Sequence, residues 1–265
     1  MSDTATARAA EQPSLSIRNL SKAFGGVQAV NDVSFDLAKG ELLALIGPNG
    51  AGKSTCFNML NGQIRADSGS VRLAGEELIG RSPADIWRRG VGRTFQITAT
   101  FPSMTVAENV AMVLMSQRRE LFSLFRTAVH RHRDKALALL DLVGMAAQAD
   151  RPCGVLSYGD LKRVELAVAL GNEPRVLLMD EPTAGMAPRE RIELMGLAAR
   201  LVSDLGLSVL FTEHDMDIVF GHAGRIIVLS RGALIAEGTA QEIRSNPLVL
   251  KTYLGEGQIY GRAEG

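Results

Sequence analysis

One octet, Gly47-Pro48-Asn49-Gly50-Ala51-Gly52-Lys53-Ser54, carries the strongest chemical signal in this chain. Glycines at that spacing let backbone N–H groups curl around phosphate oxygens, and a helix starting directly behind them adds its positive N-terminus. Lys53 would reach the β and γ phosphates of a nucleotide, the Ser54 hydroxyl would bind Mg2+, and Thr55 follows on the same turn. The plain alternative is a glycine turn with an incidental lysine. Context argues against it, because residues 42–46 are a continuous apolar run and residues 52–61 suit a helix.

A second constellation is Val176-Leu177-Leu178-Met179-Asp180-Glu181. An apolar strand carries Asp180 to its C-terminal end, where open α/β sheets bind ligands. Asp180 would support Mg2+, and Glu181, directly after it, is placed to act on a water attacking a γ-phosphate. An Asp-Glu pair after a strand is otherwise most often a turn, and only its company with the phosphate loop lifts it above that reading.

Such groups need a frame, and the sequence supplies one. Residues 15–37 read as short strands, with Val33, Phe35 and Leu37 alternating with polar neighbours. Ser82 caps a helix with Pro83 at its first position, Asp85 in its first turn and Gly90 as its stop. Thr105 and Glu108 form a capping box ahead of Val106, Val110, Val113 and Leu114, and a further helix covers residues 134–143, ending at Gly144. Helix and apolar strand then alternate over residues 176–179, 189–205 and 207–211, which predicts a largely parallel sheet with helices on both faces. Residues 226–236, with Arg231-Gly232 at the centre, read as a hairpin.

Bulk composition narrows the class. Apolar residues are 46% and charged residues 22%, values of an ordinary folded domain and not of a disordered chain. With 29 basic against 29 acidic residues there is no cationic excess of the kind nucleic acid demands. Cys56 and Cys153 have no ligand-like neighbours and read as reduced thiols. Residues 1–13 read as a flexible tail and not a secretory signal. The longest apolar run, residues 110–115, falls far short of the ~20 residues a bilayer requires.

A third element identifies the family. Leu156-Ser157-Tyr158-Gly159-Asp160 opens a helix with Ser157 as its cap, ending twenty residues before Asp180. Alone it is an ordinary capped helix, but here it resembles the LSGGQ signature of the ABC ATPases, and the likeness extends over residues 15–255. The resemblance implies the family's α/β fold: a phosphate-loop core with a mostly parallel sheet, a small antiparallel β subdomain and an inserted α-helical subdomain. Residues 14–96 and 156–240 would form the core, residues 97–155 the helical subdomain (running into the signature helix to about 171), and residues 241–265 a C-terminal helical extension. Phe24 is similar to the aromatic that stacks on adenine. Gln96 is similar to the glutamine that serves metal and catalysis and joins the core to the helical lobe. Residues 184–187 fall at the D-loop, and His214 is similar to the switch histidine.

The family's mechanism follows as an expectation. Two such subunits, the same or different chains, would close head to tail around two Mg-ATP. The loop from Gly47 to Thr55 in one would face Ser157 and Gly159 of the other. Glu181 would act on the water, and His214 and Lys53 would contact the γ-phosphate. Asp160 stands where Gln or Glu is commoner, and Ala187 replaces the usual D-loop acid, which puts the symmetry of coupling in doubt.

Within the family the chain is most similar to the ATPases of branched-chain (hydrophobic) amino acid importers. The stretches that carry this are residues 24–31, Gly92-Arg93-Thr94-Phe95-Gln96, residues 105–109, Glu213-His214-Asp215-Met216 and residues 246–255. The resemblance implies two membrane permease subunits, a periplasmic solute-binding protein and a peripheral place on the cytoplasmic face of the inner membrane. Importers of urea or short amides, the lipopolysaccharide exporter and soluble ABC ATPases are the alternatives. Residues 118–135 hold six Lys or Arg among apolar residues. They suit either a surface against anionic headgroups or a membrane subunit, or a solvated hairpin folded into the helical lobe.

Overall fold

The computed structural model describes residues 12–94, 100–117 and 125–254, excepting the side chains of 125–130, 253 and 254. Gln96 lies outside the described residues, as do residues 118–124 of the basic segment. At the described end of that segment Arg133 pairs with Asp150 at 2.8 Å and Lys135 with Glu173 at 2.5 Å, so both cations turn to carboxylates of the protein itself.

The alternating and continuous apolar patterns become two sheets. β1 (Leu15–Phe24), β2 (Val27–Leu37), β4 (Ser68–Leu73) and β5 (Glu76–Glu77) form an antiparallel sheet of order β2-β1-β4-β5. β3 (Leu42–Ile46), β6 (Val91–Thr94), β7 (Val176–Asp180), β8 (Ser208–Thr212), β9 (Arg225–Ser230) and β10 (Ala233–Gly238) form the second, of order β10-β9-β3-β8-β7-β6. Only β10 runs antiparallel in it, closing a hairpin through Arg231 and Gly232, both at positive φ.

Every residue of β3, β7 and β8 is buried, because the second sheet is covered on both faces. Leu43, Leu45 and Leu178 face a cluster shared with β1, β2, β4 and α1 (Lys53–Leu60). Leu42, Ala44, Ile46, Leu177 and Met179 face the other cluster, built with α3 (Val106–Gln117), α4 (Phe125–Leu142), α5 (Tyr158–Leu170), α6 (Pro188–Leu205) and α7 (Met216–His222). One face is therefore covered by α1 and the antiparallel sheet, and the other by helices alone. Helices lie on both faces, as expected, and on one of them the antiparallel sheet shares the cover.

The helix starts follow their caps. Ser82 accepts from Asp85 N to open α2 (Pro83–Arg88), and Thr105 and Glu108 bond reciprocally ahead of α3. α4 begins at Phe125, nine residues before the expected Asp134; Phe125, Ala128 and Val129 stand at helical spacing, but three Arg and two His surround them and hide the pattern. The C-terminal stretch splits at Asn246 into α8 (Ala240–Ser245) and α9 (Pro247–Leu254), the break falling at Pro247.

Phe57 is fully buried on α1, between the two sheets. Phe57→Ala should lower the unfolding free energy by about 3–5 kcal/mol. Urea denaturation checks this, and a loss of less than about 1 kcal/mol would contradict a helix clamped between sheets.

Candidate functional site

The parallel register decides which side chains meet. Asp180 pairs with Thr212 across β7 and β8, Leu45 with Thr212 across β3 and β8, and Thr94 with Met179 across β6 and β7. The carboxyl ends of four strands thus share one edge, where an open α/β sheet presents its chemistry.

At that edge β3 gives way to the glycine loop. Gly47, Gly50 and Gly52 all have positive φ, and a Cβ at Gly47 or Gly52 would stand 2.2 Å from the Leu229 carbonyl oxygen or 2.3 Å from that of Ala29. Only glycine fits where the loop presses backbone on backbone between β9 and β2. Gly50 has open space around it, and Asn49 and Gly50 are exposed while Pro48 and Ala51 line the loop. Gly52 is the N-cap of α1 and gives no side-chain cap, so the helix start presents its N–H groups to an anion.

Lys53 is buried and its Nζ donates to the carbonyls of Gly47 at 2.7 Å and Pro48 at 3.2 Å. Burial lowers its pKa, while the charges of Glu181 and Asp180 oppose the shift. Ser54 is exposed in the first turn of α1, with Thr55 half-buried beside it.

Asp180 is buried, its Oδ1 accepting from the Thr212 hydroxyl at 2.8 Å and its Oδ2 from Arg93 at 3.3 Å. Glu181 sits at φ +47°, a conformation that costs a non-glycine residue about 1–3 kcal/mol and is held here by its N–H donating to Thr212. His214 Nε2 lies 2.8 Å from Glu181 Oε1, on a half-exposed ring. The structure therefore brings Lys53, Asp180, Glu181 and His214, far apart in the chain, to one edge.

Phe24 ends β1 with an exposed ring, and Lys22 Nζ lies 5.3 Å from its centroid. Ser157 caps α5, accepting from Asp160 N at 3.1 Å. Gly159 is buried against Glu190, whose Oε1 would lie 2.8 Å from a Cβ added there. The D-loop follows: Ala187 caps α6 without a side-chain oxygen, and the Glu190 carboxylate accepts from its N–H at 3.1 Å instead.

Sequence reasoning passed over Arg93 and Thr212. Arg93 donates to Asn58 at 3.0 Å, Gln63 at 2.9 Å and Asp180, tying α1 and the turn after it to the acid of β7. Burial lowers its pKa, opposed by Asp180. The sole sequence cue was its position in Gly92-Arg93-Thr94, at the end of a strand that pairs with β7.

The donor set suits Mg2+. The Ser54 hydroxyl and the Asp180 carboxylate are hard oxygen donors, and Mg2+ is usually held by one or two such groups together with substrate phosphates. Among the described residues no group of three or more His, Cys, Asp or Glu could hold a metal by itself.

Comparison with known proteins agrees with this geometry. The family described as ABC transporter matches residues 30–184, and the family described as branched-chain amino acid ATP-binding cassette transporter matches residues 233–258. The high-affinity branched-chain amino acid transport ATP-binding protein LivG of Salmonella typhimurium is 41% identical over 252 residues, 92% of this chain and 99% of that protein. The crystal structure of the ADP conformation of MJ1267, an ATP-binding cassette of an ABC transporter, superposes with a TM-score of 0.81 at 31% identity, covering 92% of this chain and 100% of that one. The dimeric post-hydrolysis structure of the ATP-binding cassette MJ0796, bound to ADP and Pi, superposes with a TM-score of 0.72 at 26% identity, covering 85% and 98%.

Replacing Arg93 by Met strips Asp180 of one of its two side-chain partners. The variant should lose about 1.5–3 kcal/mol of stability and about tenfold in ATP turnover. Denaturation and steady-state phosphate release measure the two. Unchanged turnover in a folded Arg93→Met chain would contradict a role for Arg93 in holding Asp180.

Proposed function

This chain belongs to the ABC transporter ATP-binding family, and from that premise we propose that it is the ATP-hydrolysing subunit of an importer of branched-chain or other hydrophobic amino acids. The observation that carries the solute class is similarity to LivG along 99% of that protein's length, with the separate branched-chain family match at residues 233–258. The ATPase does not touch the solute, so this class rests on likeness and not on a binding pocket.

In this reading the loop from Gly47 to Thr55 wraps the phosphates with backbone N–H groups and the start of α1. Lys53 neutralises the β and γ oxygens, and Phe24 stacks on the adenine. Ser54 and Asp180, with Gln96, would hold Mg2+, which when bound would supply charge neutralisation at the phosphates. Glu181 accepts a proton from the attacking water. The water oxygen bonds to the γ-phosphorus as the bond to the bridging oxygen of ADP breaks, giving ADP and phosphate. His214, bonded to Glu181, holds that carboxylate and contacts the γ-phosphate. The remaining donors come from a second subunit, whose Ser157, Gly159 and α5 start complete the cradle.

The second ATPase is the same or a related chain. The pair docks on two membrane permease subunits at the cytoplasmic face of the inner membrane, and a periplasmic solute-binding protein delivers the solute. No described helix is long and apolar enough to cross a membrane, and nucleic acid is not among the partners proposed.

Glu181→Gln should still bind ATP, hold a closed dimer and release phosphate about 100-fold or more slowly. Undiminished phosphate release would overturn Glu181 as the base. The solute class is tested on the complex purified with its membrane subunits. Binding protein loaded with leucine should stimulate its ATPase and binding protein loaded with urea should not; the reverse would favour an amide importer.

A further inference from the structure

Thr212, the last residue of β8, and the three residues after it are all bonded to the segment that runs from Asp180 into α6. Thr212 donates to Asp180 and accepts from Glu181 N. His214 meets Glu181 at 2.8 Å. Asp215 accepts from Arg191 Nη1 at 2.9 Å, and the same guanidinium donates through Nε to the Met186 carbonyl at 2.8 Å.

Glu213 is the buried carboxylate of this series, 4% exposed. Its Oε1 accepts from both the N–H and the hydroxyl of Thr183, at 2.9 and 2.6 Å, and its Oε2 accepts from His214 N at 3.2 Å. Thr183 is itself buried and stands directly before the D-loop residues 184–187. A carboxylate withdrawn from water is costly unless its oxygens are hydrogen-bonded. Here Oε1 takes two bonds from the loop at Thr183, and Oε2 takes one from the backbone of its own loop at His214.

We propose that Glu213 is a positioning residue that locks the D-loop to the switch histidine, so that contact of a second subunit with residues 184–187 sets His214 against Glu181. This rests on the two-subunit ATPase reading. The chemistry of the bridge is specific to a carboxylate, because every partner is a donor. Gln has nearly the same shape but offers one acceptor oxygen and one donating amide. It can serve Thr183 or His214 and must set a donor against the other.

The full-length chain tests the assignment through Glu213→Gln, Thr183→Val and the double variant, all close to isosteric. Each single change should lower kcat about tenfold or more while KM for ATP moves less than about threefold, because the lock acts on orientation and not on nucleotide binding. The double variant should lose no more than the worse single one, since both break one bridge. Losses that multiply in the double variant would overturn the proposal, as would wild-type kcat in Glu213→Gln. A fall in turnover accounted for entirely by a smaller folded fraction on thermal melting would also overturn it. Failure of the ATPase reading itself appears in the wild-type chain, and failure of the lock appears only in the variants.

Discussion

The closeness of the glycine loop to its neighbours governs this structure. Gly47 and Gly52 lie against the carbonyls of Leu229 and Ala29 at distances that no side chain tolerates. Those two contacts seat the phosphate loop between the parallel sheet and the antiparallel one, and α1 leaves from it buried between them. The register of β3, β7 and β8 then delivers the acid pair of β7 and the threonine of β8 to the same edge. Cations, acids and backbone donors converge because the strands are parallel and in step.

That edge is a concentration of charge that the fold must balance. Lys53 is buried near two carboxylates, Asp180 is held by Arg93 and Thr212, and Glu181 adopts a strained backbone pinned by the same threonine. Phosphoryl transfer asks little covalent chemistry of a protein, so catalysis lies in positioning and charge neutralisation. Hydrogen bonds between loops provide that positioning.

The features legible in the sequence were local. A glycine spacing, a capped helix at Ser82 or Thr105, and an apolar run such as residues 42–46 each declare themselves within a few residues. Fold class followed from their order, and the family from the segment opening at Leu156. Contacts that no local pattern encodes stayed hidden: Arg93 reaches Asp180 across 87 residues, and Glu213 reaches Thr183 across 30. The early start of α4 was hidden for a different reason, since its apolar positions Phe125, Ala128 and Val129 stand among Arg and His. Ala187 looked like a lost acid. The structure shows the neighbouring Glu190 supplying a carboxylate to its N–H, so the turn keeps an acidic cap from a different residue.

The central claim is that this edge hydrolyses ATP by attack of water on the γ-phosphorus. Turnover of Mg-ATP in water enriched in oxygen-18, by the purified complex containing this chain, tests it most directly. The account predicts one labelled oxygen in the released phosphate and none in ADP. Label in ADP, or no phosphate released, would contradict it.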